Sequence, residues 1–255
     1  MPKNATTPTD ETEPGRNAIH LSLQGKGGVG KSFIASILAQ YFVARGKAIR
    51  CIDTDPVNTT LFQYKALSVS RLELLRDGGI DQRGFDVLME RLLTEDATFI
   101  VDNGASTFIP LWNYILENNA VEVLTRAGKR LFVHTVITGG QALVDTLYGF
   151  KSLVDSTSDQ NIIVWLNEYF GRIERDGKCF EEMGAYKDSA DKVLGSVHLT
   201  RRNQDTFGHD LEEVISRKLT LEEAIKDGPF TIMSKQRLKV MQRDWFEQLD
   251  RLDLI

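Results

Sequence analysis

Cysteine is scarce in this chain: Cys51 and Cys179 are the two in 255 residues. Two distant cysteines make neither a disulfide framework nor a metal-ligand pair, so a reducing compartment is expected. The four histidines, His20, His134, His198 and His209, fall singly, with no i, i+4 pair and no cysteine close by. A zinc site and a serine–histidine–aspartate hydrolase therefore have no support. Long apolar runs are missing too. The longest stretches without Asp, Glu, Lys or Arg are 14 residues, 103–116 and 131–144, against the ~20 apolar residues of a membrane-spanning helix. The N-terminal stretch lacks the apolar core of a secretory signal. Nor is there an excess of basic charge: 31 Lys and Arg face 36 Asp and Glu, a net −5. That excludes a strongly basic nucleic-acid binder as the reading of the whole protein. A soluble, cytoplasmic protein is expected.

What is present is ordinary globular material, 42% hydrophobic and 26% charged, long enough to bury a large core without staples. Three of the six prolines lie in residues 1–17, which hold almost nothing apolar. Such a segment cannot offset its ordering entropy, so it reads as a flexible tail before one domain, 18–255. From Ala18 the pattern changes. Ile19, Leu21 and Leu23 alternate as a strand, residues 25–30 form a glycine-rich turn, and Ile34, Ile37, Leu38, Tyr41 and Phe42 repeat at helical spacing up to Arg45-Gly46. Further strands are expected at Ala48–Asp53, Thr98–Asp102, Leu131–Thr138, Ile162–Asn167 and Val193–His198, with helices between them. Strands alternating with helices predict an α/β fold, a mainly parallel twisted sheet with helices on both faces. Residues 168–192 are polar enough to read as a solvated excursion with one short helix.

The turn carries the chemistry. Gly25-Lys26-Gly27-Gly28-Val29-Gly30-Lys31-Ser32 fits G-x-x-x-x-G-K-[ST] between a strand and a helix, the context a P-loop requires. Its glycines permit φ > 0 and let backbone N–H groups approach phosphate oxygens. The helix N-terminus adds free donors and partial positive charge. Lys31 would reach the β- and γ-phosphates, and the Ser32 hydroxyl would bind Mg²⁺. Two further acidic stations, Asp53-Thr54-Asp55-Pro56 and Asp102-Asn103-Gly104-Ala105, follow strands whose C-termini form the ligand edge of such a sheet.

Lys26, early in the loop, narrows the type: Lys-Gly-Gly-Val-Gly-Lys-Ser resembles the deviant Walker A loop of the ParA/MinD family. The resemblance implies that Lys26 crosses a nucleotide-sandwich homodimer to the partner's phosphates, acting as an arginine finger does. It implies that Asp53 holds a water on Mg²⁺, that Asp55 orients the attacking water, and that Asp102 meets Mg²⁺ through water. Gly25, Gly27, Gly28, Val29, Gly30 and Phe33 would complete the phosphate cradle. Phe33 stands where the family has a second hydroxyl residue, which leaves the α-phosphate to the Phe33 backbone N–H. Val57-Asn58 likewise departs from the Gln-Gly-Asn that often follows the family's Asp-x-Asp-Pro. The strand ending Trp165-Leu166-Asn167 lacks the Asn-Lys-x-Asp of many GTPases, so ATP is favoured, with Asn167 on the adenine edge. The stretches VHTVITGGQAL, VWLNEYFG and TIMSKQRLK are similar to the TraL branch of conjugative-plasmid transfer proteins. That similarity implies a protein partner in the transfer machinery.

The expectation is therefore a slow, Mg²⁺-dependent, dimerising ATPase switch. The alternative is a module that holds nucleotide without significant hydrolysis; a kinase has no acceptor site in the sequence. Leu238, Met241, Trp245, Leu249 and Leu252 form an amphipathic stripe expected to dock on the fold, because the nearby acids Asp250 and Asp253 suit a membrane surface poorly. Arg201-Arg202 reads as a solvated pair rather than a nucleic-acid contact.

Overall fold

In the computed structural model, residues 18–157 and 161–254 are described; the tail expected at 1–17 lies outside them. The chain runs β1 (Ala18–Ser22), α1 (Lys31–Ala44), β2 (Ile49–Asp53), β3 (Ser70–Arg71) and a small hairpin of β4 (Leu75–Arg76) and β5 (Gly79–Ile80). It continues through α2 (Arg83–Thr94), β6 (Thr98–Asp102), α3 (Phe108–Glu117), α4 (Ala120–Arg126), β7 (Arg130–Thr138), α5 (Leu143–Ser156) and β8 (Ile162–Asn167). A second hairpin, β9 (Glu174–Arg175) with β10 (Lys178–Cys179), precedes α6 (Gly184–Lys187) and β11 (Val193–Leu199). The chain closes with α7 (His209–Ser216), α8 (Leu221–Lys226) and α9 (Ile232–Leu249).

Seven strands form one parallel sheet in the order β11-β8-β7-β1-β6-β2-β3. Successive side chains alternate between its faces. Ile19, Leu21, Phe99, Val101, Val133 and Val164 pack in one cluster with residues of α2, α3, α4 and α5. Ala18, Ile100, Phe132, Val136 and Trp165 pack in the other with α1, α7, α8 and α9. The expected α/β architecture with helices on both faces is the one found. β1 sits mid-sheet, and its neighbours β6 and β7 lead to opposite edges, so the crevice at its C-terminal end is the ligand position of this topology.

α1 is buried almost all round, from Ile34 to Phe42, because α9 covers the side that the sheet does not. Trp245 meets Phe33 edge-on at 5.7 Å, and Phe246 meets Tyr41 at 5.5 Å. Asp250 accepts from the Tyr41 hydroxyl (3.0 Å) and from the Arg45 guanidinium (2.6 and 2.8 Å). The C-terminal stripe thus docks as expected, and Leu252 and Leu254 beyond it are buried too. Among the described residues no helix is long and apolar enough to cross a membrane. Gln248 of α9 donates to the His198 carbonyl (3.1 Å) and accepts from its N–H (2.7 Å), occupying the outer edge of β11 as a further strand would.

Two expectations need correction. Residues 168–192 do carry one short α-helix, α6, but they are not solvated throughout. Ile173, Phe180 and Met183 are buried, and Phe180 packs on Phe150 of α5 at 5.4 Å, so the excursion is pinned to the core by its few apolar side chains. Arg202 is not simply solvated either: it pairs with Asp244 at 2.8 Å and lies over the Phe207 ring at 5.3 Å.

The mid-sheet histidines are structural. The Trp165 indole donates to His134 Nδ1 (2.9 Å), so the His134 proton sits on Nε2 and points to His20 Nδ1, also 2.9 Å away. His20 then keeps its proton on Nε2, which is buried without a partner. Burial pushes His134 down to about 3 and His20 well below the ordinary histidine value, so both stay neutral.

Candidate phosphate-binding site

β1 delivers the chain to the loop and α1 leaves it. Gly28 (φ 75°) and Gly30 (φ 107°) adopt the left-handed backbone that glycine tolerates best. At Gly30 there is also no room: a Cβ would stand 3.0 Å from Asn167 Nδ2. Gly25, Lys26, Gly27 and Gly28 are exposed, whereas Val29 and Lys31 are buried. α1 begins at Lys31 with no side chain capping its first turn, which leaves its amides to an incoming anion.

Both lysines of the loop are held within the chain. Lys31 is 8% exposed and its Nζ donates to the Lys26 carbonyl at 3.0 Å. Burial lowers its pKa, and Asp102 and Asp55 partly oppose that. Lys26 Nζ pairs with Asp145, on the first turn of α5, at 2.8 Å with about half of each side chain exposed. An exposed pair of this kind contributes about 1 kcal/mol or less, so it yields readily to a stronger anion.

β2 and β6 end side by side, with Asp53 and Asp102 as register partners and Asp55 two residues beyond β2. Asp53 is spent largely on its own loop: it accepts from the N–H of Asp55 (3.0 Å) and of Phe62 (3.0 Å). Burial nevertheless raises its pKa, with those bonds working against the rise. Asp55 accepts from Val57 (2.9 Å) and Asn58 (3.0 Å), both on Oδ1, and packs so close to Gly104 that a Cβ there would stand 2.8 Å from Oδ1. Thr54 ties the two acidic loops together, its N–H and hydroxyl both donating to the Asp102 carbonyl (2.9 and 3.0 Å).

Asp102 differs from both. It is 1% exposed and neither carboxylate oxygen has a hydrogen-bond partner. Burial drives its pKa up to about 7; the neighbouring Ser32 hydroxyl lowers it without reaching bonding geometry, and Asp53 adds to the rise. An orphaned carboxylate beside a serine hydroxyl is an all-oxygen arrangement that suits Mg²⁺. Among the described residues no three His, Cys, Asp or Glu side chains cluster to cage a metal by themselves. Lys31, Ser32, Asp55 and Asn58 border a cleft of about 530 Å³.

A second, more apolar cavity of about 330 Å³ adjoins Gly28 and Gly30, with Phe33, Phe207, Met241 and Trp245 in its lining. Asn167 is among its lining residues, and its amide is already engaged. Nδ2 donates to the Val29 carbonyl (2.9 Å) and Oδ1 accepts from Tyr169 N–H (3.1 Å), leaving one hydrogen and one lone pair. Glu212 also borders the cavity, where its Oε1 accepts from the Tyr169 hydroxyl (2.5 Å) and from Gln204 (2.8 Å).

Residues 22–228 match the CobQ/CobB/MinD/ParA nucleotide binding domain, CbiA. The chain belongs to this family. Two Escherichia coli relatives of the MinD/ParA-type protein, each named protein TraL, are 45% and 44% identical to it over 233 residues, covering 91% of this chain and 97% of each relative. Solved structures share the fold at low identity. The Aquifex aeolicus MinD cell division protein is 16% identical with a TM-score of 0.52, covering 89% of this chain and 95% of its own. A ParA family ATPase from Chlorobium tepidum is 16% identical with a TM-score of 0.55, covering 91% and 99%.

The fold brings Lys26, Lys31, Ser32, Asp53, Asp55 and Asp102 to one sheet edge. Sequence reasoning missed Thr54, Asn103 and Thr107, whose side chains bond one another across the two acidic loops, and Asp145, which pairs with Lys26. Thr54 and Asn103 sat inside motifs already singled out; nothing local marks Asp145.

Proposed function

We propose that this protein is a Mg²⁺-dependent ATPase that works as a dimerising switch in conjugative plasmid transfer, with a partner in the transfer apparatus. The observation that carries the reading is Asp102: a buried carboxylate, orphaned on both oxygens, beside the P-loop serine and near Lys31. A fold does not keep such a group for stability, because an unpaired buried charge costs several kcal/mol. The place in conjugation rests on similarity to the TraL proteins over nearly their whole length.

In this reading the Gly25–Ser32 backbone and the Phe33 N–H cradle the phosphates, and Lys31 exchanges the Lys26 carbonyl for a phosphate oxygen. Ser32 would hold Mg²⁺ directly, with Asp102 and Asp53 acting through water; the ion would neutralise phosphate charge when bound. Asp55 orients the water that attacks the γ-phosphorus, displacing ADP. Lys26 leaves Asp145 for the partner's phosphates. Because Asp55 Oδ1 is committed to its own loop and Lys26 serves the partner's phosphates, turnover in a lone chain is slow. The remaining hydrogen and lone pair of Asn167 match the adenine edge, and the strand it ends lacks the Asn-Lys-x-Asp of many GTPases. ATP is thus favoured over GTP.

The test compares ATP hydrolysis by wild type, Lys31→Ala and Asp55→Ala. Loss of turnover in both, with MgATP binding kept by Asp55→Ala, is the expected result. Equal turnover in all three would overturn the switch, and binding without turnover in wild type would establish the nucleotide-holding alternative.

A further inference from the structure

Gln24 stands just before the phosphate loop and is completely buried. A buried primary amide must place two hydrogens and a carbonyl. Gln24 Nε2 donates to the Val136 carbonyl of β7 (2.9 Å) and to the Thr146 carbonyl of α5 (3.1 Å), while Oε1 lies 3.4 Å from the Lys26 N–H. One side chain thus joins the end of β1 to β7, α5 and the first part of the loop.

Thr146 links this arm to a second. Its hydroxyl donates to the Leu143 carbonyl (2.9 Å) and accepts from the Thr138 N–H (3.3 Å). The Thr138 hydroxyl donates to the Asn167 carbonyl (2.9 Å), and the Asn167 amide donates to Val29 (2.9 Å). The loop is therefore gripped at Lys26 from one end and at Val29 from the other, by a frame whose arms meet at one buried threonine.

An independent feature points to Gln24. Gly149 lies inside α5 with ordinary helical backbone, where glycine weakens a helix relative to alanine. A Cβ at Gly149 would stand 2.0 Å from Gln24 Oε1 and 2.7 Å from its amide carbon. The glycine is explained by the room that this amide needs.

We propose that Gln24 is a positioning residue for the phosphate loop, one arm of a buried hydrogen-bonded frame for which Gly149 keeps the space. The proposal rests on the nucleotide reading for its consequence and on geometry for its existence. It also makes the Lys26 backbone and the α5 turn that holds the Lys26 side chain parts of one unit, since Thr146 is the neighbour of Asp145.

The test uses the full chain and three variants, Gln24→Ala, Gly149→Ala and the double substitution. Gly149→Ala alone should lower Tm by clashing with the amide, and in the Gln24→Ala background the same alanine should leave Tm level or raise it. A further fall there would overturn the geometry. In the double variant without nucleotide, amide hydrogen exchange at residues 26–31 should quicken about fivefold or more, while core amides of β7 keep their rates. MgADP affinity should weaken about tenfold. Loop amides exchanging at the wild-type rate would show that Gln24 only fills space, and would overturn the proposal. If instead wild type and Lys31→Ala bind MgADP equally poorly, the nucleotide reading fails, and the exchange rates still decide the role of Gln24.

Discussion

Asp102→Asn should make the nucleotide-free protein more stable at pH 8 while destroying its use of MgATP. The carboxyl titrates near 7 in the fold and at 3.8 ordinarily. Its folded pKa is raised, so the stability it contributes is present in full below about pH 4 and is lost as pH rises through about 7. Three pKa units correspond to about 4 kcal/mol of penalty above pH 7. The attraction of Lys31 is already contained in that raised value, so the variant should gain about 4 kcal/mol at pH 8, or about 8–16 °C in Tm for a chain of this size. At pH 5, about one unit above the ordinary carboxyl value, the gap should shrink to about 1.5 kcal/mol, or about 3–6 °C. Thermal denaturation in EDTA at both pH values measures this directly. A variant less stable than wild type at pH 8, or equally stabilised at pH 5, would refute the claim that Asp102 is an unpaired buried anion.

Two further outcomes follow from the packing. His20 and His134 are neutral in the fold, with depressed pKa values, so stability is present above pH 6.5 and falls as pH drops and the unfolded chain takes up two protons. Urea titrations of Asp102→Asn should lose about 2–3 kcal/mol between pH 6 and 5, and wild type about half that, because Asp102 takes up a proton in the opposite sense. Trp245→Ala should cost about 3–5 kcal/mol by emptying the contact between α9 and Phe33, read as a lower urea midpoint; a cost under 1 kcal/mol would mean that α9 is loosely held.

How much of this was legible in the sequence depends on range. The main strands were readable because alternation and apolar runs are local, and so was the loop, where eight adjacent residues carry the pattern. β3 was not: two residues, Ser70 and Arg71, are too short to show a period, and they form a strand only because β2 offers an edge. The excursion at 168–192 misled because polar residues outnumber the three apolar anchors that pin it. Gln24 and Gly149 were invisible for a different reason. Gln24 bonds carbonyls more than a hundred residues away, and carbonyl groups carry no sequence signature. Asn167 was placed correctly on its strand, yet its bond to Val29 exists only once β8 lies across the loop.

Whether this P-loop binds MgATP and closes a two-chain switch is read from the mass of Asp55→Ala in solution. Light scattering after size exclusion should give one chain without nucleotide or with ADP, and two chains with Mg²⁺ and ATP. A mass that stays the same under all three conditions would contradict the switch.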